Sequence, residues 1–177
     1  MTKVTPYNSS DSKKKQVTQM FNNIAGSYDL LNHSLSFGMD NLWRKIAVKK
    51  LTNNPKNILD IATGTADFAI SAAKYTNAQI IGIDISEGML KVGEEKITKR
   101  KLKQRISLQL ADSEDLPFKS NSFDVIFSSH VIPHVEQKNL LFKEINFSFS
   151  GPFPSRINFI LEFVFNLLAT LIIISKP

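Results

Sequence analysis

Apolar side chains near the N-terminus recur at the spacing of an amphipathic helix. They are Val17, Met20, Phe21, Ile24 and Tyr28. Because residues three and four apart share a helix face, they predict a helix over residues 13–25. Asp11 or Ser12 can cap its start, and Gly26 stands where such a helix would end. A second helix is predicted over about 40–51, before a polar Asn-Asn-Pro segment.

Beyond this helical region the pattern changes to short apolar runs that alternate with helical segments. Buried strands are predicted at 58–62, 80–85, 106–110 and 123–127. Helices are predicted at 66–75, 88–100 and 137–145. Ser86 is placed to cap the middle helix, and Pro117 makes the segment after the third strand a loop. Strands that alternate with helices indicate an α/β fold with a parallel, Rossmann-like sheet.

The apolar stretch at residues 157–174 allows more than one structure. Its polar residues fall four apart, in one stripe if the stretch is helical: Asn158, Glu162, Asn166 and Thr170. The length approaches a membrane span, but a carboxylate at the centre of a spanning helix costs about 2.5–3.5 kcal/mol. Three alternatives follow: a helix that is buried or covers the sheet, a membrane-associated helix, and a poorly folded tail.

Polar residues with binding chemistry follow three of the predicted strands. In an open parallel sheet, ligands bind at the carboxyl ends of the strands. The first strand is followed by Gly64, which permits a tight turn and the close approach of a ligand. Asp84 ends the second strand, where a carboxylate can accept hydrogen bonds from ribose hydroxyls. Asp112 and Ser113 end the third, within reach of an adenine ring.

The turn at Gly64 distinguishes between two nucleoside cofactors. A dinucleotide site needs G-x-G-x-x-G, and the chain has only G-T-A-D-F-A. Asp60 and Asp67 would repel a pyrophosphate but favour a cation and an ammonium group. S-adenosylmethionine carries both, in its sulfonium and its amino group. The residues therefore favour S-adenosylmethionine over a dinucleotide.

Four segments of the chain together match one family pattern. They are YDLLNHSLSFGMDNLWR at 28–44, LDIATGTADFA, GIDISEGMLKVGEEK and ADSEDLPFKSNSFDVI. The chain resembles class I methyltransferases, and more narrowly the menaquinone/ubiquinone biosynthesis C-methyltransferases. The resemblance covers about residues 13–127.

This resemblance implies a division of the chain into three regions. Residues 1–52 would form an N-terminal helical lid, 53–147 the Rossmann-like core that binds S-adenosylmethionine, and 148–177 an atypical apolar tail. Cofactor contacts carry over to Thr65, Asp84, Asp112 and Ser113, with Gly64 as the turn beside them. Lid residues that would face the reaction chamber are Tyr28, Asp29, Asn32 and Trp43; for Tyr28 and Trp43, packing between lid and sheet is the alternative.

The reaction that the resemblance implies is methyl transfer to a ring carbon of a demethylmenaquinol or related lipophilic quinol. A general base would help by deprotonating a neighbouring hydroxyl. Candidates are His130, His134, His33 and Asp40, and none of them stands out as the catalytic residue. Pro133 between the two closely spaced histidines disfavours a shared helical face, so we predict no metal site.

After the fourth strand the chain departs from the family's pattern. It reads SSHVIPHVEQ where the family has F-G-x-R-N, so no substrate-side residue carries over there. It then runs KEINFSFSGPFPSR into the apolar tail instead of the family's K-P-G-G turn and further strands. We therefore expect a truncated or frame-shifted product with an incomplete sheet. The alternatives to an active enzyme of this family are an inactive cofactor-binding fragment and a methyltransferase for another small molecule or RNA.

Composition adds limits on location and partners. The 177 residues suit one domain and include no cysteine, which excludes disulfides and cysteine nucleophiles. Much of the net charge of +6 lies in Lys13–Lys15 and residues 96–105. Because no aromatic residue interrupts the second run, we interpret it as a solvated face and expect no nucleic-acid partner. The polar N-terminus predicts a cytoplasmic protein, with peripheral membrane contact through the apolar tail as an option; the oligomeric state is left open.

Overall fold

The structure, a computed structural model, describes residues 6–7, 9–49, 51, 54–129, 134–149, 158–162 and 169–175, the last two segments by their backbone. The helices are α1 (Lys13–Leu35), α2 (Met39–Lys49), α3 (Asp67–Tyr75), α4 (Glu87–Lys99) and α5 (Lys138–Ser148). The strands are β1 (Asn57–Ile61), β2 (Gln79–Asp84), β3 (Ile106–Leu110), β4 (Val125–Ser129), β5 (Asn158–Glu162) and β6 (Ala169–Ser175).

The strands form one sheet in the order β3-β2-β1-β4-β6-β5. The first four are parallel: Ile58 of β1 is in register with Ile80 of β2 and with Val125 of β4. The expected Rossmann-like parallel sheet is therefore confirmed. The strand order reverses at β1, and this switch point is where such sheets bind ligands.

Helices cover both faces of the sheet because side chains alternate along each strand. On one face, Ile58 and Phe127 pack with buried residues of α2, α3 and α4. On the other face, Leu59 and Ile126 pack against α5. The predicted caps are confirmed, since the hydroxyls of Ser12 and Ser86 accept the backbone N–H groups of Lys15 and Met89.

The predicted end of the first helix at Gly26 is wrong. The helix continues to Leu35, although an interior glycine costs about 1 kcal/mol relative to alanine. Its additional turns are held by tertiary contacts, because Asp29 accepts a hydrogen bond from Thr65 in the loop after β1. The fourth strand also begins later than predicted, at Val125; Phe123 makes only an isolated bridge to Phe149.

The apolar tail forms strands where the sequence suggested a helix, so both helical alternatives for the described part of residues 157–174 are wrong. Strand β6 pairs antiparallel with β4, with Ile126 opposite Ile174, and β5 pairs with β6. The outer edge of β4 offers unpaired backbone groups, and the β-branched run Ile172–Ile174 suits a strand. Among the described residues, no helix has the length and apolarity needed to cross a bilayer.

Candidate functional site

A cavity lies at the carboxyl ends of β1, β2 and β3, beneath α1 and α2. It contains about 1070 Å³ of space, including its open mouth. All five predicted cofactor-binding residues line it: Gly64, Thr65, Asp84, Asp112 and Ser113. Residues from three separate loops thus meet on one wall, as the parallel topology requires.

The loop after β1 has an unusual backbone. Three of its residues have left-handed φ angles: Ala62 at 56°, Gly64 at 55° and Ala66 at 64°. Alanine rarely adopts this region, and such strain clusters at binding and catalytic sites. A Cβ atom added to Gly64 would have no neighbour within 4 Å, so the cavity is open beside it. The two alanines gave no signal in the sequence.

Asp84 joins this loop to the end of β2. Its Oδ2 accepts the N–H of Gly64 at 2.9 Å and its Oδ1 accepts the N–H of Ser86 at 2.9 Å. Burial raises the pKa of Asp84 even though these hydrogen bonds favour the charged form. A carboxylate offers about four acceptor sites, so it can still accept a hydroxyl of a ligand.

Asp60 lies in β1, next to the loop that carries Gly64. Its side chain is buried away from the cavity wall, and the Oγ1 atom of Thr63 donates to it at 2.7 Å. Burial raises the pKa of Asp60 to about 7, against hydrogen bonds from Thr63 and the Ala69 backbone. Asp60 therefore does not line the cavity itself, and its influence on a ligand cation stays a prediction.

A partly buried network connects the loop after β1 to the lid. The Nζ atom of Lys96 lies 2.7 Å from Asp29, 3.0 Å from Thr65 and 2.5 Å from Asp67. Thr65 also donates to Asp29 at 2.5 Å. The expectation that the basic run at 96–105 is simply solvated is thus wrong for Lys96. Its only signal in the sequence was its position in the last turn of α4.

A second lysine meets the predicted base-binding acid. Lys14 of α1 lies 2.5 Å from both Asp112 and Glu114. Although burial lowers the pKa of Lys14, hydrogen bonds to these two carboxylates raise it above its usual value. Ser113 between them is buried on the cavity wall. The basic N-terminus of α1 therefore closes the side of the cavity formed by the end of β3.

The lid residues divide into two groups. Tyr28 and Asn32 line the cavity, and burial raises the pKa of the Tyr28 phenol. Asp29 binds Lys96 and does not line the cavity, in contrast to the expectation. Trp43 does not line it either, which agrees with the packing alternative for this residue. Arg44 also lines the cavity, although no pattern in the sequence indicated this.

The candidate bases are separated by the fold. His134 lines the cavity, and its ring packs edge-on against Phe21 with centroids 5.2 Å apart. Burial and the nearby Lys13 lower the pKa of His134. His33 and Asp40 lie off the cavity wall, with Nδ1 of His33 2.7 Å from Oδ2 of Asp40 but not oriented for a hydrogen bond. His130 lies outside the described residues.

One group of possible metal ligands occurs among the described residues. Atoms of His33, Asp40 and Asp67 lie within 4.8 Å of one another. Both carboxylates already have cationic partners, since Arg44 lies 2.5 Å from Asp40 and 3.6 Å from Asp67. These ion pairs neutralise the charge that would attract a metal ion.

Solved structures with the same fold identify the class of protein. A putative S-adenosylmethionine-dependent methyltransferase from Methanococcus maripaludis matches with a TM-score of 0.62 and 21% identity, over 81% of this chain and 63% of that one. Haemonchus contortus phosphoethanolamine N-methyltransferase 2, in complex with phosphomonomethylethanolamine and S-adenosylhomocysteine, matches with a TM-score of 0.55 and 29% identity, over 60% and 25%. The chain has the Rossmann-like fold of class I methyltransferases.

Sequence relatives narrow this class to one family. A model of the ubiE/COQ5 methyltransferase family matches residues 9–149, and the chain belongs to that family. A demethylmenaquinone methyltransferase of Bacteroides fragilis is 48% identical over 126 residues, which are 70% of this chain and 51% of the relative. The chain thus spans about half the length of the curated relatives it matches.

Proposed function

We propose that this protein binds S-adenosylmethionine in the cavity and transfers its methyl group to a ring carbon of a lipophilic quinol of the demethylmenaquinol class. The observation that carries the proposal is the meeting of Gly64, Thr65, Asp84, Asp112 and Ser113 on one cavity wall. Membership of the ubiE/COQ5 family and the name of the Bacteroides relative support the quinol as substrate.

The residues of the cavity fit this cofactor. Asp84 would accept the ribose hydroxyls with the acceptor sites that its backbone hydrogen bonds leave over, and Asp112 with Ser113 would hold the adenine. The open space beside Gly64 admits a group that a side chain would exclude. S-adenosylmethionine supplies a methyl group already activated by its sulfonium, so the main task of the chain is to orient the acceptor carbon in line.

Lid residues on the cavity wall would bind and orient the acceptor. Tyr28 and Asn32 present a phenol and an amide to it from α1, and Arg44 adds a cation from α2. His134 also lines the cavity and would be placed to take a proton from a quinol hydroxyl, although its lowered pKa makes it a weaker base than a free imidazole. We include the division into a lid at 1–52, a core at 53–147 and a tail at 148–177 in this proposal.

Because the proposed substrate is lipophilic, the proposal includes contact with a lipid bilayer. Quinols with long apolar tails reside in membranes, so the enzyme must reach its substrate at a lipid surface. The sequence suggests, as one alternative, that the tail at 157–174 contacts the membrane. In the structure, the described parts of this tail are strands of the sheet.

The test is a pair of measurements on the full chain. Calorimetric titration with S-adenosylmethionine reports binding, and mass spectrometry of a reduced demethylated menaquinone analogue reports the gain of one methyl group. Binding together with turnover supports the proposal. Binding without turnover would identify an inactive cofactor-binding protein, and methyl transfer to RNA but not to the quinol would favour the remaining alternative.

A further inference from the structure

The turn that joins α1 to α2 carries apolar side chains into solvent. The exposed side chains, all within residues 30–46, are those of Leu30, Leu31, Leu35, Phe37, Met39, Leu42 and Ile46. We call this set the hairpin patch. Single exposed apolar residues are ordinary, but so many in one helical hairpin point to an interaction surface.

Phe37 at the tip is placed where the fold alone would favour glycine. Helix α1 ends with the N–H of Gly38 donating to the carbonyl of His33 at 3.0 Å and the N–H of Phe37 to that of Ser34 at 3.4 Å. This motif puts Phe37 in the left-handed region, at φ 51°, where glycine is the usual residue. The side chain is nevertheless an aromatic ring, 93% exposed. The ring therefore adds almost nothing to the folded core, and we expect it to contact a surface outside the chain.

A basic groove adjoins the hairpin patch. It runs between α2 and α3, and its exposed cations are Lys45, Lys74 and Arg100. Leu42 belongs to both the patch and the groove. The acid that lines the groove, Asp67, is already paired with Lys96. The surface beside the patch is thus positively charged.

We propose that the hairpin patch and the basic groove together dock this protein on the surface of an anionic lipid bilayer. An apolar surface flanked by lysines is the combination that binds such membranes, with aromatic and aliphatic side chains in the acyl boundary and ammonium groups at the lipid phosphates. Tyr28, Asn32 and Arg44 of the same two helices line the cavity, so docking sets the cavity beside the lipid. The purpose of the docking, access to a lipophilic quinol, rests on the proposed function. The docking itself needs neither cofactor nor quinol.

Vesicle flotation with the full chain, without S-adenosylmethionine, tests the docking. The chain should float with vesicles of phosphatidylcholine and phosphatidylglycerol and remain unbound with phosphatidylcholine alone. The double variant Lys45→Glu/Lys74→Glu should reduce the affinity at least about tenfold, and Phe37→Ser also by about tenfold. Phe147→Ser and the double variant Lys138→Glu/Lys143→Glu are matched controls on α5, whose core contacts are on the other face of the sheet. Both should bind as the unaltered chain does.

Three outcomes would overturn the docking. These are no flotation with anionic vesicles, equal flotation with neutral ones, and unchanged flotation of the hairpin variants. A dimer in sedimentation that Phe37→Ser dissociates, with no lipid binding, would assign the patch to a second copy of the chain. Calorimetric titration of each variant with S-adenosylmethionine should give unchanged affinity, so failure of docking and failure of the proposed function are distinguishable.

Discussion

The Nζ atom of Lys96 on α4 lies 2.7 Å from Oδ2 of Asp29 on α1, and this pair joins side chains 67 residues apart. The two side chains are 16% and 29% exposed, so water and salt screen the pair less than a surface pair. Asp67 shares the same ammonium group. Lys96 therefore neutralises two carboxylates and ties α1 to the loop after β1.

Lys96→Met should lower the free energy of unfolding by about 1–3 kcal/mol, because two partly buried carboxylates and the Thr65 hydroxyl lose a partner. Urea unfolding followed by circular dichroism measures the loss. The exposed Lys91 on the same helix provides the control, and Lys91→Met should stay within about 0.5 kcal/mol of the unaltered chain. Equal losses in the two variants would show that the Lys96 contacts contribute nothing specific.

The pair should also weaken in acid. Although burial raises the pKa of Asp29, hydrogen bonds from Lys96 and Thr65 lower it below its usual value of 3.8. A lowered folded-state pKa contributes stability that is present above pH 3.8 and is lost as the pH falls through the folded value. The difference in unfolding free energy between Lys96→Met and the unaltered chain should therefore shrink as the pH falls below about 4.

Asp84→Ala should weaken S-adenosylmethionine binding at least tenfold, which is about 1.4 kcal/mol. The variant removes the proposed ribose acceptor and also the partner of the Gly64 and Ser86 backbone N–H groups. Calorimetric titration gives the affinity, and thermal unfolding gives the separate cost in stability.

Asp124 offers a matched control for that change. Its Oδ2 accepts the backbone N–H groups of Lys56 and Asn57, at the opposite end of β1 from the cavity. Asp124→Ala should thus lower stability while leaving the affinity for S-adenosylmethionine unchanged. If both variants bound the cofactor equally well, Asp84 would not be a ribose ligand.

Asp60→Asn should change how stability depends on pH. Because burial raises the pKa of Asp60 from 3.8 to about 7, the folded state holds a proton that the unfolded state releases between these values. The contribution of Asp60 to stability is therefore full below about pH 4 and declines as the pH rises to about 7, by up to about 1.4 kcal/mol per pH unit. Asparagine does not titrate. Unfolding curves at several pH values should therefore show that the stability of the variant, relative to that of the unaltered chain, increases over this range.

Thr63→Val tests the cause of that slope. The Thr63 hydroxyl favours the charged form of Asp60. Its removal should raise the folded-state pKa of Asp60 further, so the decline in stability should extend to higher pH. A pH dependence that is identical in both variants and the unaltered chain would remove Asp60 as its source.

Local patterns were sufficient to predict the sheet and the position of the site. Each parallel strand is a short apolar run, and parallel strands place their carboxyl ends at one edge of the sheet. Gly64, Asp84 and Asp112 could therefore be grouped from the sequence alone. That they bind a cofactor stays a prediction.

Contacts between distant residues could not be predicted in the same way. Lys96 belongs to a run of lysines and arginines, and nothing in its sequence neighbours distinguishes a partly buried partner of Asp29 from a solvated charge. Gly26 carries a stop signal that is correct for an isolated helix, but tertiary contacts of α1 outweigh it. The tail has apolar residues compatible with helix or strand, and the free edge of β4 decides between them.

Gly64→Ala should cost about 1 kcal/mol of stability, because its φ of 55° disfavours any residue with a Cβ atom. No atom lies within 4 Å of that Cβ, so the cost comes from the backbone and not from a clash. Gly82→Ala provides the contrast. Its Cβ would approach the Leu108 side chain to 2.7 Å and the Thr63 hydroxyl to 2.8 Å, and crowding of this kind costs about 1–3 kcal/mol. The two variants are compared by stability alone, because the crowded Thr63 lines the cavity.

Gly64→Asn separates the backbone requirement at this turn from the need for open space. Asparagine tolerates the left-handed region better than alanine, so thermal unfolding should show a smaller loss of stability than for Gly64→Ala. Its larger side chain nevertheless enters space that we assign to S-adenosylmethionine, so the affinity should fall at least as far as in the alanine variant. If stability and affinity recovered together in Gly64→Asn, the glycine would serve only the turn, and the cofactor would lie elsewhere in the cavity.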